Sequence, residues 1–304
     1  MRVKRPLLHD AVASLFPPGT EVSDWRETGG GSFGPTAQLS LSDGQEVFAK
    51  FFGAGERDRA RAEREGLEAL SRAGAPRVPT VFGVHAHGDP DRGGPSVLLM
   101  SYHRPVGRSA SAARRLGSEL AELHRTLRAA KPGFGSDNYI GATPQANAEP
   151  SPGPNEWQRF FAERRLLPLA GALARRSAQH RSLLSGVEEL CRQLPQLLPD
   201  PDDGRPSLLH GDLWGGNVLY AAEGAMLIDP AVSYGHREAD LAMTQLFGGF
   251  PSAFLEAYRD AWPIESGYRE RVPLYNLYHV LNHALLFGDS WLAGVQATLR
   301  RYAG

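Results

Sequence analysis

Three residues in the second half of the chain have types and spacing that suit a reaction at a hydroxyl. They lie in Leu209-His210-Gly211-Asp212-Leu213-Trp214-Gly215-Gly216-Asn217 and in Leu227-Ile228-Asp229-Pro230. Asp212 and Asn217 are five residues apart in a glycine-rich turn between two apolar segments, and Asp229 follows twelve residues later at a predicted strand end. A loop aspartate can take the proton of a hydroxyl, while an asparagine and a second aspartate offer hard oxygen ligands to Mg²⁺. That combination serves phosphoryl transfer. A polar turn bonded to its own backbone explains Asp212 or Asn217 taken singly. It does not explain the ordered set, with His210 and the Gly-Asp and Gly-Asn pairs.

Three further parts lie upstream. Gly29-Gly30-Gly31-Ser32-Phe33-Gly34 forms a turn whose backbone N–H groups could cover phosphates, although a plain hairpin loop reads similarly. It lacks the Gly-Lys-Ser/Thr ending of the other common phosphate loop, which disfavours that NTPase class. Lys50 follows in the apolar run VFAKFF. The chain has 33 Lys plus Arg, and only Lys4, Lys50 and Lys131 are lysine, so a compact ammonium kept in a strand stands out. An ammonium acts as a point charge toward phosphate oxygens, unlike the broad guanidinium fork. An edge-strand charge is the bland alternative. Glu63 could pair with Lys50 from the next helix, with Glu65 as competitor.

The elements that must position these residues are legible from patterning. A short amphipathic helix is expected at the start, where His9 and Asp10 interrupt what could imitate a signal peptide. Residues 38–42 and 46–52 flank Ser42-Asp43-Gly44 and predict an antiparallel hairpin. A helix is expected over 57–73, then strands in VPTVFGVHAHG and SVLLMSY around a loop at 88–95. Leu116, Leu120, Leu123 and Leu127 give 111–128 a helical face. Residues 131–155 read as loop, helices follow at about 156–175 and 179–198, and the apolar segments SLLH and AMLIDP bracket the Asp212 turn. The stretch 239–302 reads as helical. Strands first and helices later predict an α+β protein, with a small sheet-rich lobe over 1–102 and a larger helical lobe over 103–304.

Composition removes other classes. The 304 residues are 41% hydrophobic and 22% charged, which supports a packed core and argues against disorder. A net charge of −1 gives no field that would attract nucleic acid or acidic lipid. No apolar run approaches the roughly 18–20 residues of a membrane span. The single cysteine, Cys191, cannot form an intrachain disulfide, which favours a reducing, cytoplasmic setting.

The whole chain resembles the fructosamine kinase (ketosamine-3-kinase) family, a branch of the aminoglycoside-phosphotransferase-like kinases. LLHGDLWGGN is similar to that family's catalytic loop, and LIDPAVSYGHREADLAM to its metal-binding segment. FGSDNYIGATPQAN with NEWQRFFAERRL resembles its substrate-side insertion, and LYNLYHVLNHALLFG its C-terminal helix. The resemblance implies a two-lobed protein-kinase-like fold, with a small antiparallel-sheet lobe and a larger, mostly helical one. It implies transfer of the ATP γ-phosphate, with Mg²⁺, to the 3-hydroxyl of a free or protein-bound ketosamine such as a fructosamine or ribulosamine, leading to deglycation. Carried over by position, Asp212 is the base, Asn217 and Asp229 hold the metal, and Lys50 with Glu63 holds phosphate. Gly29, Gly30, Gly31 and Ser32 cover the nucleotide, and the hinge from Met100 to Tyr102 lines the adenine.

The hinge departs from the family in one respect, since Ser101 stands where an acidic residue is common. The glycine-rich loop carries no cysteine, which excludes thiol regulation there. On the sugar side, Trp214, His283 and Trp157 are candidates for substrate contact, each with packing as the alternative. Asp240 resembles a brace for the catalytic loop, His210 a backbone partner within it, and the run His236-Arg237-Glu238 reads as a solvated turn. An aminoglycoside or choline-type acceptor is the close alternative, but 131–165 shows no surplus of acidic residues for a polycation. A non-catalytic pseudokinase is disfavoured because Lys50, Asp212, Asn217 and Asp229 are all present. A metallophosphatase lacks its Asp-x-His pair.

Overall fold

The structure is a computed structural model that describes residues 5–29, 34–87 and 93–302. Gly30, Gly31 and Ser32 lie outside the described residues. The chain divides into two compact units, Met1–Arg108 with Leu219–Pro230, and Ser109–Val218 with Ala231–Gly304.

The first unit is built on a five-stranded antiparallel sheet. In sheet order its strands are β1 (Val22–Thr28), β2 (Thr36–Leu41), β3 (Glu46–Phe52), β5 (Ser96–Ser101) and β4 (Val81–Ala86). Alternation along the strands sorts side chains onto two faces. Val47, Ala49 and Phe51 of β3, Ala37 and Leu39 of β2, and Val97 and Leu99 of β5 share one face. Helix α1 (Arg5–Leu15) covers it with Leu7, Leu8, Ala11 and Val12. Phe52, Leu98 and Met100 belong to the opposite face, where Ala60 and Leu67 of α2 (Arg57–Ser71) pack. Lys50 is on that second face, opposite Leu98 in the β3–β5 register. The turn between β2 and β3 is made by Asp43, whose Oδ1 accepts from Gln45 N–H at 2.9 Å, and by Gly44 at φ 85°.

The second unit is mostly helical. Helix α3 (Ala110–Thr126) starts at Ser109, whose side chain accepts from Ala112 N–H at 3.1 Å, and it runs against α8 (Ser252–Ala261). The two backbones approach closely at Gly117, where a Cβ would lie 2.1 Å from Phe254 O. The main core joins α4 (Glu156–Phe160), a π-helical turn Phe161–Leu166, α5 (Leu167–Arg176) and α6 (Arg181–Leu197) to α9 (Tyr268–Phe287) and α10 (Leu292–Tyr302). Strands β8 (Ser207–Leu209) and β11 (Ser233–Gly235) pair antiparallel, and α7 (Glu238–Leu246) follows them in the chain. The turn β9 (Val218–Ala221) to β10 (Gly224–Leu227) leads to Asp229. Among the described residues, no helix is long and apolar enough to cross a membrane.

Three expectations change. The glycine-rich segment follows a strand, β1, which the pattern did not reveal because most of its side chains are exposed on both faces. The stretch 131–155 is not all loop: β6 (Asn138–Ile140) and β7 (Thr143–Gln145) form a hairpin within it. These strands are three residues each, too short for periodicity, and polar bonds hold them. Asn138 Nδ2 donates to Val232 O at 2.8 Å, and Tyr278 Oη donates to Gln145 Oε1 at 2.6 Å.

The run His236-Arg237-Glu238 is buried rather than solvated. Arg237 forks onto Asp202, Nε to Oδ2 at 2.8 Å and Nη2 to Oδ1 at 3.2 Å, and stacks over Trp262 with 4.1 Å to the ring centroid. Arg271 Nη2 donates to Glu238 Oε1 at 2.6 Å. Burial lowers the His236 imidazole to about 3, and does the same to His279 on α9. Both are therefore neutral when folded, whereas the unfolded chain binds protons at these positions below about pH 6.5. The unfolded state then binds more protons, so stability falls as pH drops from about 6.5 toward 3, by up to about 1.4 kcal/mol per pH unit for each histidine. Urea unfolding at pH 7, 6 and 5 is expected to show this slope, and His279→Gln to flatten it. A slope that His279→Gln leaves unchanged would count against His279.

Candidate active site

In the first unit, three charged groups meet on the α2 face of the sheet. Lys50 Nζ donates to Glu63 Oε1 at 2.9 Å, to Glu63 Oε2 at 2.7 Å and to Asp229 Oδ1 at 2.7 Å. Strand β3 supplies the lysine and α2 the glutamate, and Asp229 follows β10. Of the two glutamates that the sequence left open, Glu63 is the one that reaches Lys50. Burial alone would lower the lysine, but the carboxylates of Glu63 and Asp229 more than offset it and hold the ammonium above its ordinary range. Burial raises the Glu63 carboxyl, with Lys50 pulling the other way and Asp229 adding to the rise. Asp229 adopts φ 53°, a left-handed conformation uncommon for a non-glycine residue and typical of functional turns.

The glycine-rich segment is described only at its ends. Gly29 is exposed, with open space at its Cβ position. Gly34 has φ 156°, and a Cβ there would lie 2.5 Å from Phe51 O, so only glycine lets this turn close on β3. Met100 is buried on β5, and Tyr102 is half-buried just beyond it, with its N–H donating to Glu46 O at 3.3 Å.

In the second unit, the Asp212 loop is pinned from several sides. Asn217 Nδ2 donates to Asp212 O at 2.9 Å and to Asp212 Oδ2 at 3.0 Å. Asp212 N–H donates to His210 Nδ1 at 3.3 Å, so this ring bonds to the loop backbone. Gly211 adopts φ 81°, and a Cβ there would lie 2.0 Å from Ala231 O. Asp240 on α7 accepts from His210 N–H at 2.7 Å and from Gly211 N–H at 2.9 Å. Burial pushes the Asp240 carboxyl up, but bonds and charge from His124 and the loop outweigh it and hold it below the usual carboxylate range. His124 was not singled out from the sequence. Its Nε2 lies 3.2 Å from Asp240 Oδ2, and its Nδ1 lies 2.9 Å from Tyr258 Oη. The available signal was a histidine beside Leu120, Leu123 and Leu127 on the apolar face of a helix.

The three substrate-side candidates separate. Trp157 is 3% exposed and packs with Phe160, Phe161 and Tyr275 in the main core, so it is a packing residue rather than a surface open to substrate. Trp214 is half-buried, and it stands over Gly216, where a Cβ would come within 2.2 Å of its ring. Trp214 and His283 share a neighbour, Phe247, at centroid distances of 6.1 and 4.8 Å. Phe287 and Trp291 complete the group around His283, at 5.3 and 4.7 Å. His283 Nδ1 donates to His279 O at 2.8 Å, leaving Nε2 as the acceptor, and burial lowers its pKa.

Each unit holds a donor of the kind Mg²⁺ takes: in the second, Nδ2 of Asn217 is committed to Asp212, so Oδ1 is the ligand atom it can offer, and in the first Asp229 offers carboxylate oxygen. Among the described residues there is no group of three or more His, Cys, Asp or Glu that could hold a metal alone. Mg²⁺ at phosphates needs only one or two protein ligands, with water and phosphate supplying the rest.

Comparison with known proteins gives a family. The model of the fructosamine kinase family matches residues 8–303. The chain belongs to the fructosamine kinase family. It is 40% identical over 263 residues to a probable ketoamine kinase of Synechocystis, covering 86% of this chain and 84% of that one. A probable ketoamine kinase of Klebsiella aerogenes is 34% identical over 284 residues, 92% of this chain and 93% of the other. A solved structure from Thermobifida fusca, assigned to fructosamine-3-kinase, is 35% identical with a TM-score of 0.81 over 96% of this chain and 97% of that one. The streptomycin-ATP-APH(2")-IIa ternary complex, at 13% identity, matches with a TM-score of 0.62 over 100% of this chain and 98% of that one, and shows the shared fold. This fructosamine kinase family member therefore has the protein-kinase-like, aminoglycoside-phosphotransferase fold, and it is a phosphotransferase.

Proposed function

We propose that the protein transfers the γ-phosphoryl group of ATP to the 3-hydroxyl of a ketosamine, and that breakdown of the 3-phosphate then frees the amine. The observation that carries the reading is the Lys50–Glu63–Asp229 cluster in a chain of the fructosamine kinase family. ATP is bound by the ternary-complex neighbour of like fold, and an ammonium held charged by two carboxylates suits phosphate oxygens. Residues up to 102 serve as the nucleotide lobe and those from 103 as the catalytic and substrate lobe.

Asp212, oriented by Asn217, accepts the proton of the sugar hydroxyl as that oxygen attacks phosphorus. The bond from phosphorus to the ADP oxygen breaks, and ADP leaves with that electron pair. Lys50 holds nucleotide phosphate oxygens, and Glu63 and Asp229 fix where its ammonium sits. Asn217 and Asp229 would hold Mg²⁺, which would supply charge neutralisation at the phosphates. Positioning and charge neutralisation supply most of the rate in such a transfer. Trp214 and His283, grouped through Phe247, form the aromatic wall for the sugar or its amine. Cys191 is half-buried with its thiol pushed up to about 12 by burial, so it stays protonated, which suits a cytoplasmic protein.

The test is ADP release with Mg·ATP over fructosyl-lysine, ribulosyl-lysine, a plain hexose, choline and an aminoglycoside. Turnover is expected with the ketosamines, with the phosphate on the 3-oxygen by ³¹P NMR. Turnover with the aminoglycoside or choline alone would move the acceptor and overturn the reading.

A further inference from the structure

His103 directly follows the proposed hinge, Met100 to Tyr102, and the polar residues of this stretch form a chain of bonds. Ser101, the last residue of β5, accepts at Oγ from Thr80 N–H at 2.9 Å, while Ser101 N–H donates to Thr80 O at 2.8 Å. The same Oγ lies 2.8 Å from His103 Nε2. That hydroxyl can accept from Thr80 N–H and give its own hydrogen to His103 Nε2, an arrangement that puts the ring proton on Nδ1, the nitrogen nearer Glu223. That Nδ1 is buried, has no hydrogen-bond partner among the described residues, and lies 3.7 Å from Glu223 Oε2. Glu223 sits in the turn between β9 and β10, the hairpin that leads to Asp229. A second tie joins the same parts, because Val106 N–H donates to Tyr220 O on β9 at 2.8 Å.

Residues 102–109 have no regular secondary structure, so helix or sheet bonding does not order them. A segment of that kind that must present backbone groups to a ligand would lose conformational freedom on binding, unless something holds it beforehand. We propose that Ser101 and His103 are positioning residues for the nucleotide, tying the hinge to Thr80 on one side and to the β9–β10 turn on the other. The proposal rests on the nucleotide site as read above. Serine does here what an acidic residue in the hinge could not: it accepts from Thr80 and donates to His103 with one atom.

The experiment is calorimetric titration of the full chain with Mg·ADP, joined to steady-state kinetics on the ketosamine. Ser101→Ala and His103→Phe are each expected to weaken Mg·ADP by about three- to tenfold, the loss of one to two hydrogen bonds. KM for ATP should rise by a similar factor, while KM for the ketosamine stays in place. Ser101→Thr keeps the hydroxyl and should bind within about twofold of the parent, because both bonds survive. The double variant Ser101→Ala/His103→Phe should bind no more weakly than the worse single one, since both break the same chain. Parent-like affinity in both single variants would overturn the proposal and leave the nucleotide site standing. A parent protein that does not bind Mg·ADP would overturn the site reading and this proposal together. A fall in kcat and a rise in both KM values, with a lower thermal midpoint, would make the residues merely structural and overturn it too.

Discussion

Asp212→Asn is expected to lower kcat by about 10²- to 10⁴-fold, the range for removing a general base, with the thermal midpoint retained. The substitution keeps shape and removes only proton affinity. Asn217 Nδ2 bonds to the backbone oxygen of residue 212 as well as to Oδ2, so one of its two anchors is indifferent to the change. The loop is further fixed by Asp240 on the N–H groups of His210 and Gly211, neither of which involves the 212 side chain. Loss of turnover with an unmoved melting curve would therefore report on chemistry. Near-parental turnover would remove Asp212 from the role of base. KM for ATP should change little, because the base acts on the acceptor hydroxyl rather than on the nucleotide.

Lys50 carries the second large effect. Lys50→Arg is expected to cut kcat/KM by about 10²- to 10³-fold, as for loss of one preorganised charge at the transferred group. The three N–H bonds of its ammonium are aimed at Glu63 and Asp229 in a buried space, and a planar guanidinium cannot reproduce them. Lys50→Met goes further, leaving the buried Glu63 carboxylate facing Asp229 without the ammonium, at a cost of about 3–5 kcal/mol for breaking a buried pair. Glu63→Gln in that background should recover much of the stability and none of the turnover. Denaturant unfolding and ADP release on the four proteins check this. Recovery of turnover in the double variant would sink the phosphate role of Lys50 and leave it as a structural charge.

Much of the fold was legible because its signals are local. The Asp43-Gly44 turn, the alternation of Val47, Ala49 and Phe51, and the leucine face of α3 each follow from neighbours within one or two turns of chain. Where the signal was short or polar on both sides, it failed. The charged β1 shows no alternation, and the three-residue strands β6 and β7 depend on Asn138, Gln145 and Tyr278 bonds made across 94 and 133 residues of sequence. The buried run His236-Arg237-Glu238 looked like solvent-facing sequence because charge usually is. Its partners Asp202, Trp262 and Arg271 are distant in the chain and could not be read from the run itself.

The sequence by itself determined the chemistry on offer: an aspartate, an asparagine and a second aspartate in fixed order, a rare lysine in a strand, and a glycine-rich turn before it. Residue type and spacing carry that information, since they limit what each loop can bond or bind. Only the tertiary structure decided which groups meet. It chose Glu63 over Glu65, sent Trp157 into the core while grouping Trp214 with His283, and brought Asp229 to Lys50 across 179 residues. It also folded 219–230 with the N-terminal unit. Such contacts depend on helix phase and strand register, where a one-residue change turns a side chain to the opposite face, and local sequence does not encode the partner that waits there.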